Sequence, residues 1–561
     1  MIRKPFFKLT LLLTVFLAAC THTNTNQLVN DKIAFEGIEF NMPSIQKPLI
    51  PDFTVSITDF GAVNGGRVLN TQAFADAIAA VSDKGGGKVV IPPGVWLTGP
   101  IILKSNLELH AQEGALIVFS DDKDLYPLVE TSFEGLNTWR CISPIYGVGL
   151  ENIAFTGKGV WDGSGDAWRF VKRSKLTANQ WKELVASGGV VNEKETEWYP
   201  SEQFKTAMEN ADQNVRLDLT TREEFQQIRD FLRPVMVSIQ NSKRVMLDGP
   251  TFQNSPAWCI HPLIIEDLIV RNVTVRNPWY SQNGDGIDVE SCKNVLVENC
   301  SFDVGDDAIC IKSGKDEDGR ERGIPAENLV IRNNIVYHGH GGVTVGSEMS
   351  GGVKNMHVSN CTFIGTDVGL RFKSNRGRGG VVEDIFISGI QMKDIPTYAI
   401  SFNLYYGGRS VSEMLELGGI ANISEPEPVS EETPQFKNIN ITNVTVDGAH
   451  QAVQLQGLPE MNLENVKLSN MSLCAENGIT IIDASNVVLE NIQLETREDE
   501  AVQIINAASV EINGLNYDYA SKNSISIRGE KSKTISIACQ KDLSNYVYVG
   551  AEVGSDAVII K

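Results

Sequence analysis

The chain has 561 residues, of which 42% are hydrophobic and 21% charged, as in globular proteins. A mean hydropathy of −0.11 excludes a chain built of many membrane spans. The net charge of −21 argues against nucleic acid as a partner, because an acidic surface repels phosphates.

The first residues read as a targeting segment. Arg3, Lys4 and Lys8 precede a short, mostly apolar run from Leu11 to Leu17, and Leu17-Ala18-Ala19-Cys20 closes it. A small-residue site ending in Cys has the form of a bacterial lipobox, in which cleavage leaves Cys20 as a lipidated N-terminus. Residues 1–19 are therefore expected to be a lipoprotein signal peptide and residues 20–51 a tether, which opens with the polar run Thr21 to Asn26. No acidic residue follows Cys20 directly, so the expected location is a Gram-negative cell envelope, facing the periplasm, with the lipid as the only membrane contact. The other eight cysteines show no C-x-x-C pair and read as buried free thiols.

From Asn70, "NTQAFADAIAAVSDKGGG" sets Phe74, Ile78 and Val81 on one helical face before glycines stop it. An amphipathic helix of this kind suits an N-terminal cap. Between about residues 162 and 234 two helices read well, with capping-box form at Thr177 to Gln180 and Thr221 to Glu224. This segment reads as a partly helical insertion.

The rest of the chain repeats itself. "DLIVRNVTV" from Asp267, "NVLVENCSF" from Asn294, "NLVIRNNIV" from Asn328, "NMHVSNCTF" from Asn355 and "DIFISGIQM" from Asp384 share one pattern, which resumes at Asn438, Asn465 and Asn486. Each is Asn or Asp, alternating apolar residues, an Asn or Gly turn, and a second short strand. The period of about 21 to 34 residues is that of a solenoid. Short alternating strands at such regular spacing predict an all-β parallel β-helix over residues 52–561, each repeat one coil stacked on the next.

Alternation assigns faces. Ile287 and Val289, Ile309 and Ile311, Val343 and Val345, and Leu370 and Phe372 are expected to point inward. Asp288, Glu290, Cys310, Lys312, Arg371 and Lys373 then point outward. Superposing the inward pairs sets Asp285 level with Asp307 on consecutive coils, with a chain turn permitted by Gly284 and Gly305. Asp306 is beside Asp307, His340 lies one coil on, and Arg371 and Lys373 one coil beyond that. Residues distant in sequence thus converge on one exterior patch, with carboxylates at one end and cations at the other.

Asn283-Gly284-Asp285-Gly286-Ile287-Asp288, Gly305-Asp306-Asp307, Gly339-His340-Gly341 and Arg371-Phe372-Lys373 resemble, in order, the four motifs of the polygalacturonase family of glycoside hydrolases. The resemblance spans about Asp52 to Gly408 and implies a right-handed parallel β-helix of the pectin lyase-like kind. It also implies hydrolysis of α-1,4-linked galacturonan with inversion and without a cofactor or metal. Carried over, Asp307 is the general acid, Asp285 and Asp306 activate water, and His340 holds the acid's geometry or charge. Arg371 and Lys373 would bind the galacturonate carboxylate, with Asn283, Lys312, Tyr405 and Tyr406 as further substrate contacts. Lys312, Arg376 and Arg378 would add to a local cationic cluster.

Crowding carboxylates raises the pKa of one while the others stay ionised, which would keep Asp307 protonated. "NSPAWCIHP" from Asn254 and "GLRFKSNRGRGG" from Gly369 resemble the bacterial exo-acting branch, for which the insertion would wall off one end of the cleft. Three alternatives remain: a hydrolase of rhamnogalacturonan or another substituted galacturonan, a calcium-dependent pectate lyase, and a non-catalytic glycan-binding solenoid.

Overall fold

The computed structural model describes residues 32–211, 214–405, 425–497, 500–517, 524–538 and 545–561. Cys20 and Tyr406, named above as lipidation site and substrate contact, lie outside the described residues.

Each repeat forms one coil of three short strands, and each strand pairs in parallel with its equivalent one coil on. Ile287–Glu290 pairs with Asp307–Lys312, Lys293–Glu298 with Ala326–Arg332, and Ser301–Asp303 with Ile335–Val336. The ladder runs from Thr54–Ser56 to Val558–Ile560, so the chain is a parallel β-helix. Its core is the inward row of Val, Ile, Leu and Phe expected from alternation. Ile309, Val343, Leu370, Ile400 and Val453 are fully buried, each contributing roughly 1.5–3 kcal/mol relative to exposure.

The repeated asparagines have a backbone role. Asn294, Asn328 and Asn355 take left-handed conformations, φ 57°, 59° and 57°, where only Gly, Asn and Asp sit at low cost. Their amides also stack. Asn294 Nδ2 donates to Asp267 at 3.2 Å, Asn328 to Asn294 at 3.2 Å and Asn355 to Asn328 at 3.1 Å.

The helix Thr71–Asp83 buries Phe74, Ala77, Ile78 and Val81 in the core of the first coils. The insertion holds three short helices, Ala178–Ala186, Glu202–Glu209 and Arg222–Gln226, where two were expected; both expected capping boxes form. Its apolar residues Trp168, Phe170, Tyr199 and Phe204 share a small second core with Leu128 and Cys141 of an antiparallel hairpin, Leu128–Phe133 and Leu136–Cys141. That hairpin was not foreseen. Residues 32–51, within the stretch read as tether, instead lie on the solenoid. Ile45 is buried with Ile269, Leu296 and Val330, and Glu39 pairs with His357 at 2.6 Å. Six described cysteines are buried free thiols, whereas Cys474 is exposed.

Candidate active site

Register brings the acids together. Ile287 pairs with Ile309, which sets Asp285 level with Asp307, and Asp307 pairs with Gly341. One oxygen from each of Asp285, Asp306 and Asp307 lies within 4.8 Å of the others. The turn that delivers them is not made as expected. The left-handed residue is Asn283, φ 55°. Gly284 and Gly305 are required by close approach, since a Cβ on them would sit 1.9 and 2.4 Å from Ser281 Oγ.

Two coils on, Arg371 and Lys373 reach back to the same cluster. Arg371 donates to Asp307 Oδ1 at 3.0 Å and Lys373 to Oδ2 at 2.8 Å, while Thr344 Oγ1 donates to Oδ1 at 3.0 Å. His340 meets Asp306, with Nδ1 3.2 Å from Oδ1, and its Nε2 lies 3.6 Å from Asp367. The sequence reading gave His340 to the acid Asp307; in the structure its partner is the neighbouring Asp306.

These contacts reverse the expected order of proton affinity. Burial would raise Asp307, but the charges of Lys373, Arg371 and Lys312 outweigh it and hold its carboxyl well below the usual range. Burial also opposes ionisation of Asp306, and the hydrogen bond and charge of His340 overcome it, so Asp306 is lowered while His340 is raised by the same bond. Asp285 is the carboxyl pushed well up, by burial first and then by the charges of Asp288 and Asp306. Crowding does separate the pKa values, but in the free protein it is Asp285, not Asp307, that favours the proton.

Several outward residues are not solvent-facing. Asp288, Glu290 and Lys312 are on the outer side as predicted, yet all are buried. The hairpin lies over them. Phe133 packs on Trp258 at 4.8 Å between ring centres, Gly135 accepts from the Lys315 amide at 3.1 Å, and Asn137 donates to Asp318 at 2.9 Å. Lys312 is therefore a buried counterion rather than a substrate contact. It pairs with Glu348 at 2.7 Å and Asp288 at 3.6 Å, and its Nζ sits 4.7 Å from the Trp258 ring centre. Arg376 is held by Glu460 at 2.6 Å and Arg378 by Asp316, so the expected cationic cluster is neutralised by the chain's own carboxylates. Asn283 Oδ1 accepts from Arg233 at 2.8 Å, and Tyr405 is half-buried under the Arg376 guanidinium, 5.5 Å from its ring centre.

Arg233, Thr344, Glu348, Asp367 and the hairpin were missed. Arg233 is buried at 1% exposure and donates to the carbonyls of Pro256 and Gln282 as well as to Asn283. Burial, with Arg140 and Arg169 nearby, pulls its pKa down to about 9. Glu348 and Asp367 lie in or beside the motif-bearing coils but carry no periodic signal, and nothing local marks Arg233. The three acids offer oxygens close enough for a divalent cation, but Asp307 is already clamped by two cations and Asp306 by His340. That donor set does not fit a resident metal.

The pattern of the glycosyl hydrolases family 28 matches residues 226–414, which include every acid and cation of the cluster. A hyperthermoactive exopolygalacturonase from Thermotoga maritima superposes with a TM-score of 0.63 at 32% identity, covering 82% of this chain and 93% of that one. The chain belongs to family 28 of the glycosyl hydrolases. It is a glycoside hydrolase. Among its relatives, a probable polygalacturonase of Vitis vinifera is 27% identical over 75% of this chain and 74% of its own length. An exo-poly-alpha-D-galacturonosidase of Dickeya chrysanthemi is 26% identical over 78% and 70%. In this family-28 hydrolase the matched segment starts inside the insertion and ends beyond the strand one coil on from Arg371 and Lys373, so the hairpin and the first coils lie outside it.

Proposed function

We propose that the chain hydrolyses α-1,4-galacturonosidic bonds in pectin-derived galacturonan, acting from the non-reducing end by inversion. The observation that carries this is the pairing of Arg371 and Lys373 with Asp307. Two cations aimed at one point suit a carboxylate, and a uronic acid brings one to the reacting sugar. In the proposed cycle the substrate carboxylate takes over Arg371 and Lys373. Asp307, released in a buried site, then gains the proton it donates to the leaving oxygen. Asp285 and Asp306 orient the attacking water, and Asp306, kept ionised by His340, takes the water's proton as the bond from the anomeric carbon to the leaving oxygen is replaced by one to the water oxygen.

Exo action rests on the resemblance to the exo-acting branch, with the hairpin packed over the coils that carry the acids, Phe133 on Trp258 at 4.8 Å. The names of the Thermotoga and Dickeya relatives agree. The spacing within 4.8 Å is shorter than the roughly 6.5–9.5 Å typical of inverting pairs, so inversion rests on the family resemblance. Early products from polygalacturonate test the reading. Monomer with the inverted anomer by NMR is expected. A ladder of oligomers overturns exo action, and a retained anomer overturns inversion. Unsaturated products lost on chelation would point to a lyase, and cleavage of rhamnogalacturonan alone to the substituted-substrate alternative. Anchoring to the envelope through Cys20 is part of the proposal; a Cys20→Ala chain that still takes up labelled lipid would refute it.

A further inference from the structure

The loop from Asn277 to Gly286 delivers Asp285, and it also carries the exposed Trp279. Asn277 Nδ2 closes the loop by donating to the carbonyls of Gly284 and Asp285 at 3.1 and 3.2 Å. The Pro278 carbonyl packs 2.6 Å from where a Cβ on Gly305 would sit, one residue from Asp306. Trp279 follows directly, in the loop that delivers Asp285, three coils before Arg371 and Lys373. It is 54% exposed, a costly position for an indole unless something covers it.

Its neighbour Tyr280 packs edge-on against it, ring centres 6.1 Å apart, and turns to the apolar patch of Val171, Trp181 and Trp198 in the insertion. Tyr280 therefore anchors the loop and presents the indole. From the same insertion, Lys175 places its ammonium 5.5 Å from the Trp279 ring centre. Among the described residues no carboxylate forms an ion pair with Lys175, although the chain carries an excess of 21 negative charges.

An indole face beside an unneutralised ammonium has the chemistry of a uronic-acid subsite. The apolar C–H face of a pyranose stacks on the ring while its carboxylate meets the ammonium. We propose that Trp279 and Lys175 form a substrate subsite that binds an unesterified galacturonate unit away from the cleaved bond. The insertion thus contributes affinity and selects for free acid over methyl ester. This rests on the functional reading above.

Kinetics on tetragalacturonate and its methyl ester, using the full chain, test it. Trp279→Ala is expected to lower kcat/KM on the acid about tenfold or more, chiefly through KM, while Trp279→Phe keeps most of it. Lys175→Gln is expected to lower kcat/KM on the acid about fivefold and leave the ester unchanged, with Lys175→Arg rescuing. A Trp279→Ala enzyme within twofold of the parent overturns the subsite. So does a loss in kcat alone, shared by Trp279→Phe, which would mean the residue only shapes the loop. Quenching of indole fluorescence by tetragalacturonate separates the two readings. If the parent binds but does not cleave, and Lys175→Gln weakens binding, the subsite stands and the hydrolase reading falls. If the parent cleaves but its binding is indifferent to both substitutions, the subsite falls alone.

Discussion

Binding of a galacturonate oligomer should draw one proton into the site. In the free protein Asp307 is ionised, held by Lys373 at 2.8 Å and Arg371 at 3.0 Å with only 2% of its side chain exposed. A general acid needs a pKa of about 6, roughly two units above the ordinary Asp value near 3.9, or about 3 kcal/mol. One ion pair at an effective dielectric of 20 is worth about 4 kcal/mol at 4 Å, so transfer of both cations to the substrate carboxylate removes what holds Asp307 low and leaves burial, the largest influence on it, to raise it above the ordinary value. At pH 5 the free carboxyl carries almost no proton, and a carboxyl of pKa about 6 carries about 0.9. Turnover is stopped with Asp285→Asn, because Asp285 already favours its neutral form and the amide alters the site's charge least. Calorimetric titration in two buffers of different ionisation heat then counts protons. The expected uptake is close to one per site at pH 5. Because the complex binds the extra proton, affinity falls by up to about tenfold per pH unit as pH rises between the two pKa values. The methyl ester cannot take over the cations and should bind without uptake. Uptake below about 0.2 proton, or affinity flat between pH 5 and 6, would refute release of Asp307 by the substrate.

Arg233→Met removes donors to Gln282, Asn283 and Pro256 at 2.9, 2.8 and 3.0 Å. It should lower kcat about 10- to 100-fold with KM within about threefold, because Arg233 holds the Asp285 loop and touches no substrate; an equal fall in kcat/KM through KM alone contradicts this. Asn328→Ala forces a Cβ-bearing residue other than Asn into φ 59° and breaks two ladder bonds, at a cost of about 2–3 kcal/mol read by denaturant unfolding. Asn328→Gly should cost less, since only the bonds are lost. Asp483 is 1% exposed, neither carboxyl oxygen has a hydrogen-bond partner, and burial lifts its pKa to about 7. Its folded pKa exceeds the unfolded value, so stability is fully present below about pH 4 and is lost as pH rises towards about 7, by up to about 4 kcal/mol. Asp483→Asn should flatten that fall in melting curves from pH 4 to 8; an unchanged slope would show that Asp483 does not set it.

The coil ladder was legible because its signal is periodic and physical. An Asn that takes a left-handed turn and passes its amide to the next Asn must recur once per coil. Inward Ile and Val must alternate with outward polar residues. Register followed from those rows, and with it the meeting of Asp285, Asp306 and Asp307 with Arg371 and Lys373. What alternation does not carry is what covers the outer face. It sends Asp288, Glu290 and Lys312 outward correctly, but it cannot say that a hairpin from Leu128 to Cys141, more than 140 residues earlier than the strands it covers, lies on top of them. Nor does it say which side chain pairs with which, and so it did not show that in the free protein the proton is favoured on Asp285 while Asp307 is held ionised. Asp307 has the same neighbours on either reading. Only the 2.8 and 3.0 Å contacts from two coils away decide that it is the ionised one. The acid the family resemblance implies and the acid the free site favours then differ by a single event, the arrival of a carboxylate that outcompetes Asp307 for its two cations. In the proposed cycle such a site would stay chemically idle until a uronic acid enters it, which would tie the choice of substrate to the placement of the proton.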